Sequence, residues 1–140
     1  MERIVVAAKA GVDQPWIADA AVQLAKQTGA KVSVVSVDGV DVEMLSPLPR
    51  SEYQEQARVS AENVAAQITE QGVEATAETR EGKVVSGILL FAEEQNADVI
   101  LVGASTLGRI ARRILGNVPL ELVERSRRPV FIVSAPPDAG

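Results

Sequence analysis

Apolar residues along this chain switch between two spacings, short continuous runs and helical repeats, and that alternation is the mark of strands joined by helices. Ile4 to Ala8 is a near-continuous apolar run of the kind buried on both faces of a parallel sheet. Helical spacing follows in Ile17, Ala20, Ala21, Leu24 and Ala25. Asp13 is the expected cap, Pro15 suits the first turn and Gly29 is the expected stop. Val32 to Val37 reads as a second buried strand, and Gly39 to Arg50, with Pro47 and Pro49, as a long irregular connection. Ser51 and Gln54 have the spacing of a capping box, ahead of a helix face of Ala57, Ala61, Val64, Ala65 and Ile68 that ends at Gly72. Val73 to Thr79 alternates apolar with polar residues, which predicts an edge strand with one wet face. Lys83 to Asn96 is predicted as a helix with Val84, Val85, Ile88, Leu89 and Ala92 inward, weakened slightly by Gly87. Val99 to Val102 is a wholly apolar central strand; a loop from 103 to 116, a helix from Val118 to Ser126 and a strand from Val130 to Val133 complete the pattern. Ala135 to Gly140 is expected to fray.

Five strands joined by right-handed helical crossovers make a doubly wound parallel sheet in a three-layer α/β/α sandwich, with the expected strand order 3-2-1-4-5. Ligands of such sheets sit at the carboxyl ends of the strands where the winding reverses. That rule points to Ala8-Lys9-Ala10-Gly11 after strand one and to Gly103-Ala104-Ser105-Thr106 after strand four.

Length and composition narrow the chemistry. A chain of 140 residues, 46% hydrophobic and 24% charged, is expected to form one globular domain over its whole length, 1–140. No apolar run approaches the roughly 18 residues of a spanning helix, and the start lacks a secretory leader, so a cytoplasmic home is expected. With no Cys and no His, disulfides, thiolate and imidazole metal sites and the usual catalytic triads are excluded. A net charge of -5 argues against nucleic acid as a partner. Charge is nevertheless uneven, since arginines 109, 112, 113, 125, 127 and 128 face only Glu121, Glu124 and Asp138 in the last stretch. A small polyanion could dock there.

The segment after strand four leaves a buried strand through Val102-Gly103, forms a loop, and enters a helix at Gly116-Asn117. Glycines admit backbone N–H groups to an anion and a helix N-terminus adds partial positive charge, so the segment can cradle a phosphate. A plain connection whose glycines serve only the turns fits the same residues equally well.

This segment resembles the nucleotide motif of the universal stress protein family: Gly, two residues, Gly, nine residues, then Gly with a small hydroxylated residue. Gly103 and Gly116 match the outer glycines, Thr106 stands at the middle one with Gly108 two positions on, and Asn117 takes the hydroxylated position. The resemblance extends to Glu81-Gly82, to Ala97 through Gly103 and to Arg128 through Val133. It implies Val37 and Val102 as walls for an adenine ring and Ala8 and Lys9 on the nucleoside side. Gly103, Thr106, Gly116, Asn117 and Val118 fall on the phosphate side; by their own chemistry Ser105 could bond phosphate or close its turn, and Arg112 could contact phosphate or face solvent. Lys9 stands where nucleotide-binding members usually carry an Asp.

Each assignment has a plain structural counterpart. Val37 and Val102 serve equally as core, Arg112 and Arg113 as a solvated face, Arg125, Arg127 and Arg128 as complements to a helix end, and Trp16 as a packing residue. Glu52, Glu55 and Glu62 read as a solvated helix face. The expected function is therefore a stress-associated protein that holds ATP or another adenine nucleotide weakly or conditionally, with no catalytic group identified. A nucleotide-free dimeric interaction module of the same fold is the alternative. In either case the apolar last strand, Val130, Phe131, Ile132 and Val133, is expected to pair with its copy in a homodimer.

Overall fold

The computed structural model describes residues 1–39, 49–104 and 117–136. Five parallel strands form one sheet in the order β3-β2-β1-β4-β5. In chain order the elements are β1 (Arg3–Ala7), α1 (Pro15–Thr28), β2 (Lys31–Gly39), α2 (Arg50–Glu70), β3 (Ala75–Gly82), α3 (Val84–Glu94), β4 (Val99–Gly103), α4 (Val118–Arg125) and β5 (Val130–Val133). The expected architecture and strand order are both observed.

β1 is central because it alone is flanked by both halves of the winding, with Val6 in register with Val34 of β2 and Leu101 of β4. Alternate strand residues supply two separate cores. On one face Ile4, Val6, Val32, Val34 and Leu101 pack against Ile17 and Ala21 of α1 and Ala61, Val64 and Ile68 of α2. On the other, Val5, Ala7, Val35, Val37, Ile100 and Val102 meet Val85, Ile88 and Phe91 of α3 and Leu122 of α4. The chain winds outward from β1 to β3, then returns to β4 and winds the other way. The carboxyl ends of β1 and β4 therefore diverge into loops on opposite sides of the sheet, which opens a crevice between them.

Local details differ from the sequence reading in instructive ways. Asp13 does not cap α1. Gln14 holds the N-cap position, and its carboxamide oxygen turns back to accept the Lys9 N–H at 3.2 Å. Pro15 opens the helix and Gly29 closes it in a left-handed conformation, its N–H donating to the Ala25 carbonyl, as expected. The predicted Ser51–Gln54 capping box is absent because α2 starts earlier, at Arg50, and Gln54 donates instead to the Glu81 carboxylate at 2.8 Å. β2 runs on to Gly39, which carries Asp38 to the carboxyl rim of the sheet. β3 is shifted to Ala75–Gly82, at the edge where the alternation placed it. Gly87, expected to weaken its helix, has a packing role: a Cβ there would stand 3.0 Å from Cγ2 of Val37, so its absence lets α3 lie close on β2.

Candidate functional site

A cavity of about 350 Å³ opens at the carboxyl ends of the strands, within the range of roughly 300–1,000 Å³ typical of small-molecule sites. Its floor runs from Val37, Asp38 and Gly39 of β2, across Ala7 to Ala10 at the end of β1, to Val102, Gly103 and Ala104 at the end of β4. Tyr53 and Gln56 of α2 border it beside β2, Lys83 to Val85 and Ser86 open α3 along one side, and Val118, Pro119, Glu121 and Arg125 come from α4. The cavity thus occupies the reversal of the winding, where the topology rule places a ligand.

Of the residues assigned from sequence to a nucleotide, Ala8, Lys9, Val37, Val102, Gly103 and Val118 line this cavity. Val37 and Val102 are both core and wall, being 6% exposed, packed in the cluster beneath α3 and α4, and presented to the cavity. Their two readings are compatible. Lys9 is exposed, with its backbone fixed by the Gln14 carboxamide and by its own carbonyl, which accepts from Val12 N–H at 3.3 Å.

Gly103 has a structural duty apart from any ligand. A Cβ at this position would come within 2.7 Å of the Gln14 side-chain nitrogen and 2.8 Å of Cδ1 of Ile17, so the bare backbone lets the start of α1 close over β4. Asn117 also has local work, since its side-chain oxygen accepts the Leu120 N–H at 3.2 Å and caps α4. The amide half of that group remains a donor by chemistry, but Asn117 is not among the residues lining the cavity. Ser105, Thr106, Arg112 and Gly116 lie outside the described residues.

Several lining residues escaped the sequence reading. Asp38 is 2% exposed and is held by Arg50 through contacts of 3.2 Å and 3.1 Å to its two oxygens. The strand pattern was ended at Val37, and carrying it one residue further would have found a carboxylate at the rim. Tyr53 lies four residues before Ala57 on the buried stripe of α2, so one more turn of the same periodicity would have placed it inward. Arg125, expected as a complement to the helix end and as part of the arginine-rich stretch open to a polyanion, lines the cavity and donates to the Ser86 hydroxyl at 3.3 Å. Arg128 is held elsewhere, donating to the Ala97 carbonyl at 2.7 Å.

Outside the cavity the acidic residues of α2 behave as read from sequence. Glu55 and Glu62 are exposed and share Arg58, whose hydrogen bonds hold the Glu55 carboxyl below its ordinary range. Trp16 packs, partly buried, against the core beneath α1. Among the described residues no cluster of acidic side chains could hold a metal ion, and no helix is long and apolar enough to cross a membrane.

Fold and cavity together define a doubly wound α/β domain with a small-molecule crevice at its switch point. Over residues 1–134 the sequence matches the universal stress protein family, and the chain belongs to that family. It is 30% identical over 128 residues to a universal stress protein of Methanocaldococcus jannaschii, an alignment covering 83% of this chain and 72% of that one. A universal stress protein of Bacillus subtilis is 29% identical over 128 residues, covering 82% and 86% respectively. Among solved structures, a universal stress protein in complex with cAMP superposes with a TM-score of 0.76 at 23% identity, over 96% of this chain and 98% of that one. A universal stress protein of Archaeoglobus fulgidus in complex with dAMP gives 0.66 at 22% identity, over 95% and 98%. A family member from Arabidopsis thaliana with AMP bound gives 0.69 at 16% identity, over 99% and 95%. At these identities the likeness is one of fold.

Proposed function

We propose that this protein binds an adenine nucleotide, ATP or a relative, in the crevice between the ends of β1 and β4. The observation that carries this reading is the cavity itself: it lies at the switch point and is walled by Val37 and Val102, apolar surfaces on which a flat base can rest. The bound cAMP, dAMP and AMP of the structural neighbours support the same ligand class. Lys9, Lys83 and Arg125 supply positive charge at the rim, toward which an anionic ligand is drawn in a salt-dependent way. The reading is one of binding, with no catalytic role assigned to any lining residue. Isothermal titration with ATP and with AMP tests it. Saturable heat with one site per chain is expected, and flat heat for both ligands against folded protein contradicts the reading.

A second activity, self-association, rests on a different observation. β5 is the last strand of the sheet, and among the described residues it pairs with β4 alone. Around that strand Phe131 is 55%, Leu120 52%, Val123 50% and Ile132 42% exposed, a concentration of apolar side chains on α4 and β5. Pairing of β5 with its copy across a two-fold axis would satisfy the backbone groups of its outer edge and cover part of this surface.

A further inference from the structure

Tyr53 lines the cavity, and its hydroxyl is buried with no hydrogen-bond partner among the described residues, whereas the buried carboxylate of Asp38 beside it is ion-paired with Arg50. The residue is 6% exposed, yet it borders the cavity. Buried phenol groups nearly always find a partner, because an unsatisfied hydroxyl away from water is costly. Leucine or phenylalanine would fill the same place beneath α2 without that cost. The hydroxyl is therefore a buried group in want of a partner, on a residue that borders a ligand-sized cavity.

Its position along the cavity indicates which part of a ligand it meets. Tyr53 and Gln56, one turn apart on α2, border the crevice with Asp38 and Gly39 at the β2 side, whereas Gly103, Val118 and Pro119 lie at the β4 side. Gly103 and Val118, read from the sequence as lying on the phosphate side, are at the β4 side, so a nucleotide laid along the crevice has its nucleoside end toward β2. A phenol both donates and accepts, which lets it bond a ring nitrogen, an exocyclic amine or a ribose hydroxyl without adding charge.

We infer that Tyr53 is a specificity-determining residue whose hydroxyl bonds the nucleoside part of the ligand. The inference rests on the nucleotide-binding reading above and goes further by naming the end of the ligand and the protein atom that meet. Tyr53→Phe removes that oxygen alone and keeps the ring. Calorimetric titration of wild type and Tyr53→Phe with adenosine and with AMP provides the test. Both ligands are expected to weaken by a common factor of about 2 to 12, that of one neutral hydrogen bond. The melting temperature of the ligand-free variant is expected to stay level or rise, because the oxygen removed has no partner in the free protein. Equal affinities in the two proteins overturn the assignment of Tyr53 alone, leaving the binding site intact. A loss confined to AMP places the hydroxyl at the phosphate and overturns the nucleoside contact. A ligand-free variant that melts several degrees lower shows a structural partner and also overturns it. Failure of wild type to bind either ligand refutes the binding reading itself, and this inference with it.

Discussion

Gly103→Ala separates two roles that one glycine can hold, packing and approach to a phosphate. The added methyl carbon would stand 2.7 Å from the Gln14 nitrogen and 2.8 Å from Cδ1 of Ile17, closer than real side chains come, so both must move. Gln14 can swing its terminal amide, but only by giving up the bond from its oxygen to Lys9 N–H. Ile17 has less freedom, being wholly buried among Ile4, Val6 and Leu101. Overpacking of this kind costs about 1–3 kcal/mol. For a chain of this size that corresponds to a fall in melting temperature of roughly 3–10 °C. Thermal unfolding without ligand reads the effect directly. A two-fold design attributes it: in an Ile17→Val, Gln14→Ala background, from which both colliding groups are removed, Gly103→Ala is expected to lose at least half of its penalty. A Gly103→Ala protein that melts within 1 °C of wild type, or a penalty undiminished in that background, would refute the packing argument at about the precision of the assay.

Three further expectations follow from other parts of the molecule. The Asp98 carboxylate accepts the N–H groups of Glu2 and Arg3 at 2.7 Å and 3.0 Å, and these bonds lower its pKa in the folded state. A depressed folded value means that its stabilisation is complete above the unfolded value of about 3.9 and is lost as pH falls through the folded one. The melting-temperature gap between wild type and Asp98→Asn should therefore be full at about pH 6 and shrink as pH falls from about 4 through the lower folded value; a gap unchanged from about pH 6 to about pH 2 contradicts the assignment. Phe131→Lys, which puts a charge on the outer edge of β5, should convert a dimer to a monomer in sedimentation velocity, and a wild type already monomeric at micromolar concentration refutes the pairing. Lys9→Asp replaces a donor-only cation by an acceptor at the end of β1, so adenosine should bind more tightly and gain more than ATP, which loses an attractive charge; unchanged adenosine affinity in the folded variant removes Lys9 from the nucleoside side.

The sheet was legible because its evidence is local. A strand buried on both faces is predominantly apolar: Ile4 to Ala8 and Val99 to Val102 are wholly so, and Val32 to Val37 is broken only by the small, buried Ser33 and Ser36. The place of the crevice followed from topology without any side-chain detail. What it is made of was harder to read, since its polar lining comes from helices whose rotation and exact start decide which residues face inward. Tyr53 was missed for that reason, and Asp38 because β2 runs on past Val37, where the apolar run ends. The capping sites failed for a related cause: Gln14 and Gln54 are drawn into contacts with Lys9 and Glu81 that exist only once the loops are assembled. Gly103 and Gly87 show the converse, residues marked by a motif or by propensity whose bare Cα atoms are required by neighbours remote in sequence.

The crystal structure of the protein grown with AMP in excess tests the central claim most directly. The account predicts AMP in the crevice, its base against Val37 and Val102, with Ala8 and Lys9 beneath and the Tyr53 hydroxyl within about 3.2 Å of a nucleoside nitrogen or oxygen. An empty crevice at saturating AMP, or AMP held elsewhere on the molecule, would contradict it.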